Sequence, residues 1–177
     1  QEVQRARRVS DAPRGQAALL PVMAREVMEE AQIQPDDLDL IAVTVGPGSF
    51  TGIRAALALA HGIGLSVGKP VIGVTVAEAF ASSLPNLGQR VLWTVIDSRR
   101  DRVFLDRGDG AEPWPLERLP PSDRPVALAG DAASVVVGWL AARGTNVMLT
   151  DARAPLGRHI ALVAARRLAG ELPPLPA

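Results

Sequence analysis

The chain of 177 residues contains no cysteine. Disulfides, thiolate zinc sites and cysteine nucleophiles are thereby excluded, and the composition is compatible with a reducing cytoplasm. Histidine is nearly as scarce. His61 and His159 are the two in the chain and neither stands in an HxxxH or HExxH frame, so a metallopeptidase or other histidine-built zinc hydrolase has no basis. Three Trp and three Phe leave the short arginine runs Arg5-Ala6-Arg7-Arg8 and Arg166-Arg167 without the stacking partners that RNA-binding surfaces use. Neither charge sign is in excess: nineteen basic and nineteen acidic residues cancel, so no whole-molecule field draws the chain to nucleic acid or an anionic membrane. Lys69 is the single lysine. The skew to arginine is read as compositional bias before anion recognition. No apolar run reaches the ~18 to 20 residues of a membrane span, and QEVQRARRVSD has no apolar segment of the signal-peptide kind.

What is present fits a folding domain. Apolar residues make up 47% and charged residues 21%, and a chain of this length buries roughly 70% of its unfolded surface. Leu19, Leu20, Met23, Val27 and Met28 recur at helical spacing from Gln16 onward. Pro35 and the acidic residues Asp36, Asp37 and Asp39, read as a solvated loop rather than a metal site, break that helix before the buried strand LIAVTV. A helix almost without polar side chains follows from residue 52, then the strand KPVIGV and the helix TVAEAFASSL. The turn-rich PNLGQ suggests a lobe boundary, giving lobes of 1–86 and 87–177. The second lobe opens with VLWTVID and DRVFLD, a predicted hairpin. A poorly periodic stretch from Pro113 to Pro125 comes next, then the strand PVALAG, the helix DAASVVVGWLAARG with Asp131 as expected N-cap, the strand NVMLT and a helix from about Pro155 to Ala169.

The loop TVGPGSFTGIR, residues 44–54, carries the densest signal. Its glycines do not fit the P-loop spacing GxxxxGK[ST]: Gly46 and Gly52 are one residue too far apart, Gly48 and Gly52 one too close, and Ile53 stands where lysine is needed. GxGxxG fails as well, because Gly52 follows Gly48 by four positions. What remains is a helix N-terminus with Ser49 and Thr51 as possible caps. Gly46, Gly48, Ser49, Thr51 and Gly52 could contact an anion or nucleotide there, or the glycines could simply permit tight packing. A Ser-His-Asp triad assembled from Ser49, either histidine and Asp97 lacks the GxSxG elbow. Asp97-Ser98-Arg99-Arg100-Asp101 is a charged hairpin tip by default.

The run from LIAV through GPGSFTGIR to VTVAEAFA, followed by VIDSRRDRVF, resembles the bacterial TsaB (YeaZ) family. The resemblance implies an α/β chain of the two-lobed actin/Hsp70/sugar-kinase-like (ribonuclease H-like) class, with mixed sheets flanked by helices. It also implies a cytoplasmic role in forming N6-threonylcarbamoyladenosine (t6A) at position 37 of ANN-decoding tRNAs. In that role the chain is a non-catalytic partner of the paralogue TsaD, with a TsaE-like ATPase in the assembly and tRNA met through the complex. No cofactor is expected on this chain alone, ATP or ADP and a metal belonging to the TsaD-like partner. The implied partner surface is the first helix with the one after the glycine loop: Leu20, Met23, Val27, Phe50, Arg54, Ala56, Ala60 and His61, with a homodimer as the other use of the same faces. Asp97, Arg99 and Arg100 match the second-lobe motif. Three departures stand out: no opening strand of the type ILAIDTS with its hairpin, Gln16 where the family has histidine, and LPPLPA in place of a P-x-Y-x-R tail. They lead to the expectation of a fragment whose first sheet lacks N-terminal strands. An enzyme in its own right, kinase-like or glycoprotease-like and using the glycine loop with Asp97, is the alternative.

Overall fold

The computed structural model describes residues 3–10, 15–99 and 101–175. The first lobe is built on two parallel strands, β1 (Ile41–Gly46) and β2 (Val71–Thr75), in register from Ile41 opposite Val71 to Thr44 opposite Val74. Helix α1 (Gln16–Ala31) precedes them, α2 (Phe50–Val67) is the crossover, and α3 (Val76–Ser83) follows directly on β2. Among the described residues β1 has no second strand neighbour, so its far edge is unpaired.

The second lobe is a five-stranded mixed sheet in the order β5-β4-β3-β6-β7. Strands β3 (Val91–Asp97), β4 (Arg102–Asp106) and β5 (Ala111–Pro115) form an antiparallel meander, while β6 (Val126–Ala129) and β7 (Val147–Leu149) run parallel to β3. Helix α4 (Ala133–Ala141) makes the β6–β7 crossover.

Alternation along β3 explains how the two lobes meet. Trp93 and Val95 turn to one face, joining Val103, Leu105, Val126, Leu128, Val136 and Leu140 under α4. Leu92 and Ile96 turn to the other and meet Phe104 and Ala129 of the same sheet with Val76 and Phe80 of α3. A strand covered on both faces reads as a continuous apolar run, which is what VLWTVI is. Helix α3 thus serves both lobes, since Ala79 on its other side belongs to the first-lobe core with Val74, Val163 and Ala164.

The last two of those residues lie on α5 (Gly157–Leu168), which packs on β1, β2 and α3. The division at 86/87 therefore needs an amendment: the C-terminal helix returns to the first lobe, where the apolar face of a two-stranded sheet must be covered. Arg167 fixes it there. Its guanidinium, 9% exposed, pairs with Glu78 and donates to the Gly73 carbonyl (2.6 Å) and the Pro173 carbonyl (2.8 Å). Glu78 in turn closes a capping box with Thr75 at the start of α3.

Further expectations are corrected. The stretch beginning at Pro113 starts inside β5, an edge strand that tolerates Pro113 and Pro115 because one of its sides has no ladder to feed. Asp131 does not cap α4, whose N-cap is Ala132; its Oδ1 accepts from the Asp97 N–H instead, at 2.8 Å. And α2, with 18 residues and a mean hydropathy of 1.3, has the length and composition of a membrane span. The reading of runs alone missed this because Arg54, His61 and Ser66 interrupt the helix.

Candidate functional site

The glycine loop joins β1 to α2 and is closed on itself. The Ser49 hydroxyl accepts from the Gly52 N–H (3.3 Å), and the Ser49 carbonyl receives the Ile53 N–H (2.9 Å), so Ser49 is the cap and Thr51 an exposed first-turn residue. Gly46 sits at φ +119°, a conformation that favours glycine, and a Cβ there would also press on Ile53 Cδ1 at 3.3 Å. The Gly46–Pro47 peptide is cis. Gly48 is exposed with an ordinary φ.

Helix α2 has two dissimilar faces. Inward, Ala60 is 5% exposed, and a Cβ on Gly64 would meet Val71 Cγ2 at 2.5 Å and the Lys69 carbonyl at 2.9 Å. The small residues serve contact with the chain's own sheet. Ala60 is therefore not a partner-surface residue, and Ala56 is half-buried. Outward, Phe50, Arg54, Ala58, His61 and Leu65 form one stripe, spaced so that each lies about one turn beyond the last. Phe50 is 72% and Leu65 88% exposed, and the Arg54 guanidinium lies 5.0 Å over the Phe50 ring. On α1, Leu20, Met23 and Val27 are half-buried, whereas Leu19 and Val22 are the exposed apolar residues. Of the residues expected on the partner surface, Phe50, Arg54 and His61 are exposed and Leu20, Met23, Val27 and Ala56 are half-buried, while Ala58, Leu65, Leu19 and Val22 are further exposed apolar residues of the two helices.

Asp97, at the end of β3, accepts the Arg99 N–H on Oδ1 (2.7 Å) in a local turn, with Arg99 at φ 60°. Arg100 lies outside the described residues. No ion pair joins Asp97 to either arginine motif among the described residues. His61 lies on the outer α2 stripe, and His159 is far from the glycine loop in a contact that the sequence did not announce, 3.3 Å from the Ser82 hydroxyl through Nδ1. That contact is not a nucleophile–base dyad. Arg158 Nε donates to His159 Nε2 (3.1 Å), so the neutral ring carries its proton on Nδ1 and donates to Ser82, leaving no lone pair there to take a proton. Burial, and secondarily the Arg158 charge, hold the His159 imidazole below its usual range, which favours this neutral form.

Between the lobes the seam is filled by Val76, Phe80, Ile96, Ala129 and Phe104. Beyond this plug, a notch of about 570 Å³ opens between the glycine loop and the β4–β5 hairpin, bordered by Pro47, Phe50, Ile53, Arg54, Phe104 and Asp106. It begins where the α2 stripe begins. No group of three or more His, Asp or Glu able to hold a metal occurs among the described residues.

The family model described as TsaD, tRNA N6-adenosine threonylcarbamoyltransferase, matches residues 10–111, more than half of the chain. The chain belongs to the TsaD family. Curated relatives of this TsaD-family chain include the tRNA N6-adenosine threonylcarbamoyltransferase of Thermosipho africanus, 31% identical over 94 residues, 51% of this chain and 28% of the relative. The transferase of the same name from Jannaschia is 43% identical over 63 residues, 36% of this chain and 18% of the relative. An uncharacterized protein of Mycobacterium tuberculosis is 34% identical over 100 residues, 56% of this chain and 46% of the relative. The chain thus spans less than a third of these transferases and less than half of the mycobacterial protein. The TsaB (YeaZ) resemblance is met in the fold of two solved structures from Pseudomonas aeruginosa. One, an uncharacterized protein with similarity to peptidase YeaZ, matches in fold with a TM-score of 0.73 at 22% identity, covering 93% of this chain and 85% of that one. YeaZ itself gives 0.67 at 24%, covering 88% and 79%. The sequence match thus gives the family, and the two solved structures share the chain's mixed α/β fold of sheets flanked by helices.

Proposed function

We propose that this TsaD-family chain works without chemistry of its own, as a cytoplasmic subunit that binds and activates a TsaD-like paralogue in forming t6A at position 37 of ANN-decoding tRNAs. The observation that carries this reading is the exposed apolar stripe of α2 from Phe50 to Leu65. Large apolar side chains left this exposed mark an interaction face, and a stripe running the length of one helix, with Arg54 and His61 between Phe50 and Leu65, suits helix-to-helix packing. The plugged seam supports the same reading, because Val76 and Phe80 occupy the space between the lobes where a ligand could otherwise reach both. ATP or ADP and the metal then belong to the TsaD-like partner, a TsaE-like ATPase joins the pair, and tRNA is engaged by the complex.

Gel filtration of the full-length chain with its full-length TsaD-like paralogue tests this. A complex is expected with the wild type and its loss with Leu65→Glu, which leaves the fold intact because Leu65 makes little internal contact. Absence of a complex with the wild type overturns the proposal. If the chain instead forms a homodimer broken by the same substitution, with no paralogue bound, the stripe is a self-association face and the activator role falls.

A further inference from the structure

The notch at the start of α2 contains a group that the chain leaves incomplete. Asp106, the last residue of β4, is 6% exposed, and its carboxylate borders the notch. Its one partner among the described residues is the Gly108 N–H, which donates to Oδ1 at 2.8 Å. Thr94, its cross-strand neighbour and so on the same face of the sheet, is 1% exposed with a hydroxyl that finds no partner among the described residues. The buried Thr94 hydroxyl is costly in a packed interior, and the Asp106 carboxylate beside it turns toward the notch with one internal donor. Such a site is completed by a cation bearing several donors.

The nearest cation of the chain does not do this. Arg54 borders the same notch, yet its guanidinium lies over the Phe50 ring and makes no ion pair with Asp106. Val45, Ile53 and Phe104 give the same notch an apolar part of its lining. An open notch with apolar lining and a carboxylate matches a long side chain with a methylene stem and a cationic head.

We propose that the notch receives an arginine or lysine side chain of the partner subunit, its charged head on Asp106 and its stem against Ile53 and Phe104, as an anchor for the α2 interface. This rests on the partner reading above, because the notch is continuous with the α2 stripe through Phe50 and Arg54. Charge complementarity sets the chemistry of the occupant: among the described residues Asp106 is the one acid on the notch, and no cation pairs with it.

The test uses the full chain and its TsaD-like paralogue. Asp106→Asn keeps an oxygen for the Gly108 N–H, so the fold should persist while the charge is lost. Calorimetry is expected to show an affinity lower by about 30-fold or more, the scale for removing one member of a buried charge pair. The salt dependence of binding should flatten in the same variant. Independently, a photo-crosslinking amino acid in place of Ala111, on the notch rim, should capture a partner peptide containing the inserted Arg or Lys. Asp106→Asn binding within threefold of wild type while Leu65→Glu abolishes binding overturns the anchor and leaves the partner reading standing. Loss of neither overturns both. A captured peptide without a basic residue, or saturable binding of agmatine with no competition by the partner, also overturns the anchor.

Discussion

Gly130→Ala probes the contact on which the second lobe is built. Gly130 follows β6 at φ +112°, and a Cβ there would stand 2.9 Å from the Val95 carbonyl carbon and closer still to its oxygen. The obstacle is backbone of the central strand, which cannot rotate away as a side chain would. That oxygen also accepts from the Ala132 N–H, and the Gly130 N–H donates to the Ala152 carbonyl, so a shift of the loop disturbs bonds on both sides. Left-handed strain for a non-glycine residue costs about 1 to 3 kcal/mol, and overpacking a fitted site about 1 to 3 more. The sum, about 2 to 6 kcal/mol, is a large part of the 5 to 15 kcal/mol that holds a typical domain. For a chain of this size it lowers Tm by roughly 10 °C. Gly138→Ala is the control. That glycine sits inside α4 with open space around a built Cβ, so alanine should stabilise by roughly 0.5 to 1 kcal/mol. Thermal unfolding followed by circular dichroism reads both. Equal melting temperatures for the two variants would refute the placement of Gly130 against Val95.

Arg167→Met removes the guanidinium that ties α5 to Glu78, Gly73 and Pro173, and the urea midpoint should report a loss of about 2 to 3 kcal/mol; an unchanged midpoint rejects the clamp. Acidification should destabilise the wild type through His159. Its folded-state pKa is depressed, so the stability it contributes is complete above the unfolded value of about 6.5 and is lost as pH falls through the lower folded value. The slope of Tm against pH between 7.5 and 5.5 should flatten in His159→Asn, which keeps a donor for Ser82. Ala60→Glu should fail to fold or melt far lower, whereas Leu65→Glu should keep its Tm, since the first is buried under the sheet and the second projects outward.

Much of the fold was legible because most elements announce themselves locally. The helical spacing from Leu19 to Met28, the apolar runs of β1, β3 and β6, and the Asp-Gly turn before β5 need no distant information. The site was less legible for a physical reason. A helix that is apolar around most of its circumference does not declare which side faces the sheet, so Ala60 and Leu65 look alike until β1 and β2 are in place. Asp106 reads as the flank of a polar turn in FLDRGDG, and its burial arises only when β4 pairs with β3 and brings it opposite Thr94. The Arg167–Glu78 pair spans two helices far apart in the chain, and a lone arginine in a basic pair gives no sign of such a partner. Prolines in β5 masked a strand that its edge position makes permissible.

The most direct measurement is reconstituted t6A synthesis from full-length TsaD-like and TsaE-like proteins, ATP, threonine-derived donor and an ANN-decoding tRNA, with and without the full-length form of this chain. Product should require the chain, be absent when the chain is supplied alone, and be lost with the folded Leu65→Glu variant. Product formed equally well without the chain, or made by the chain with no paralogue present, would contradict the account.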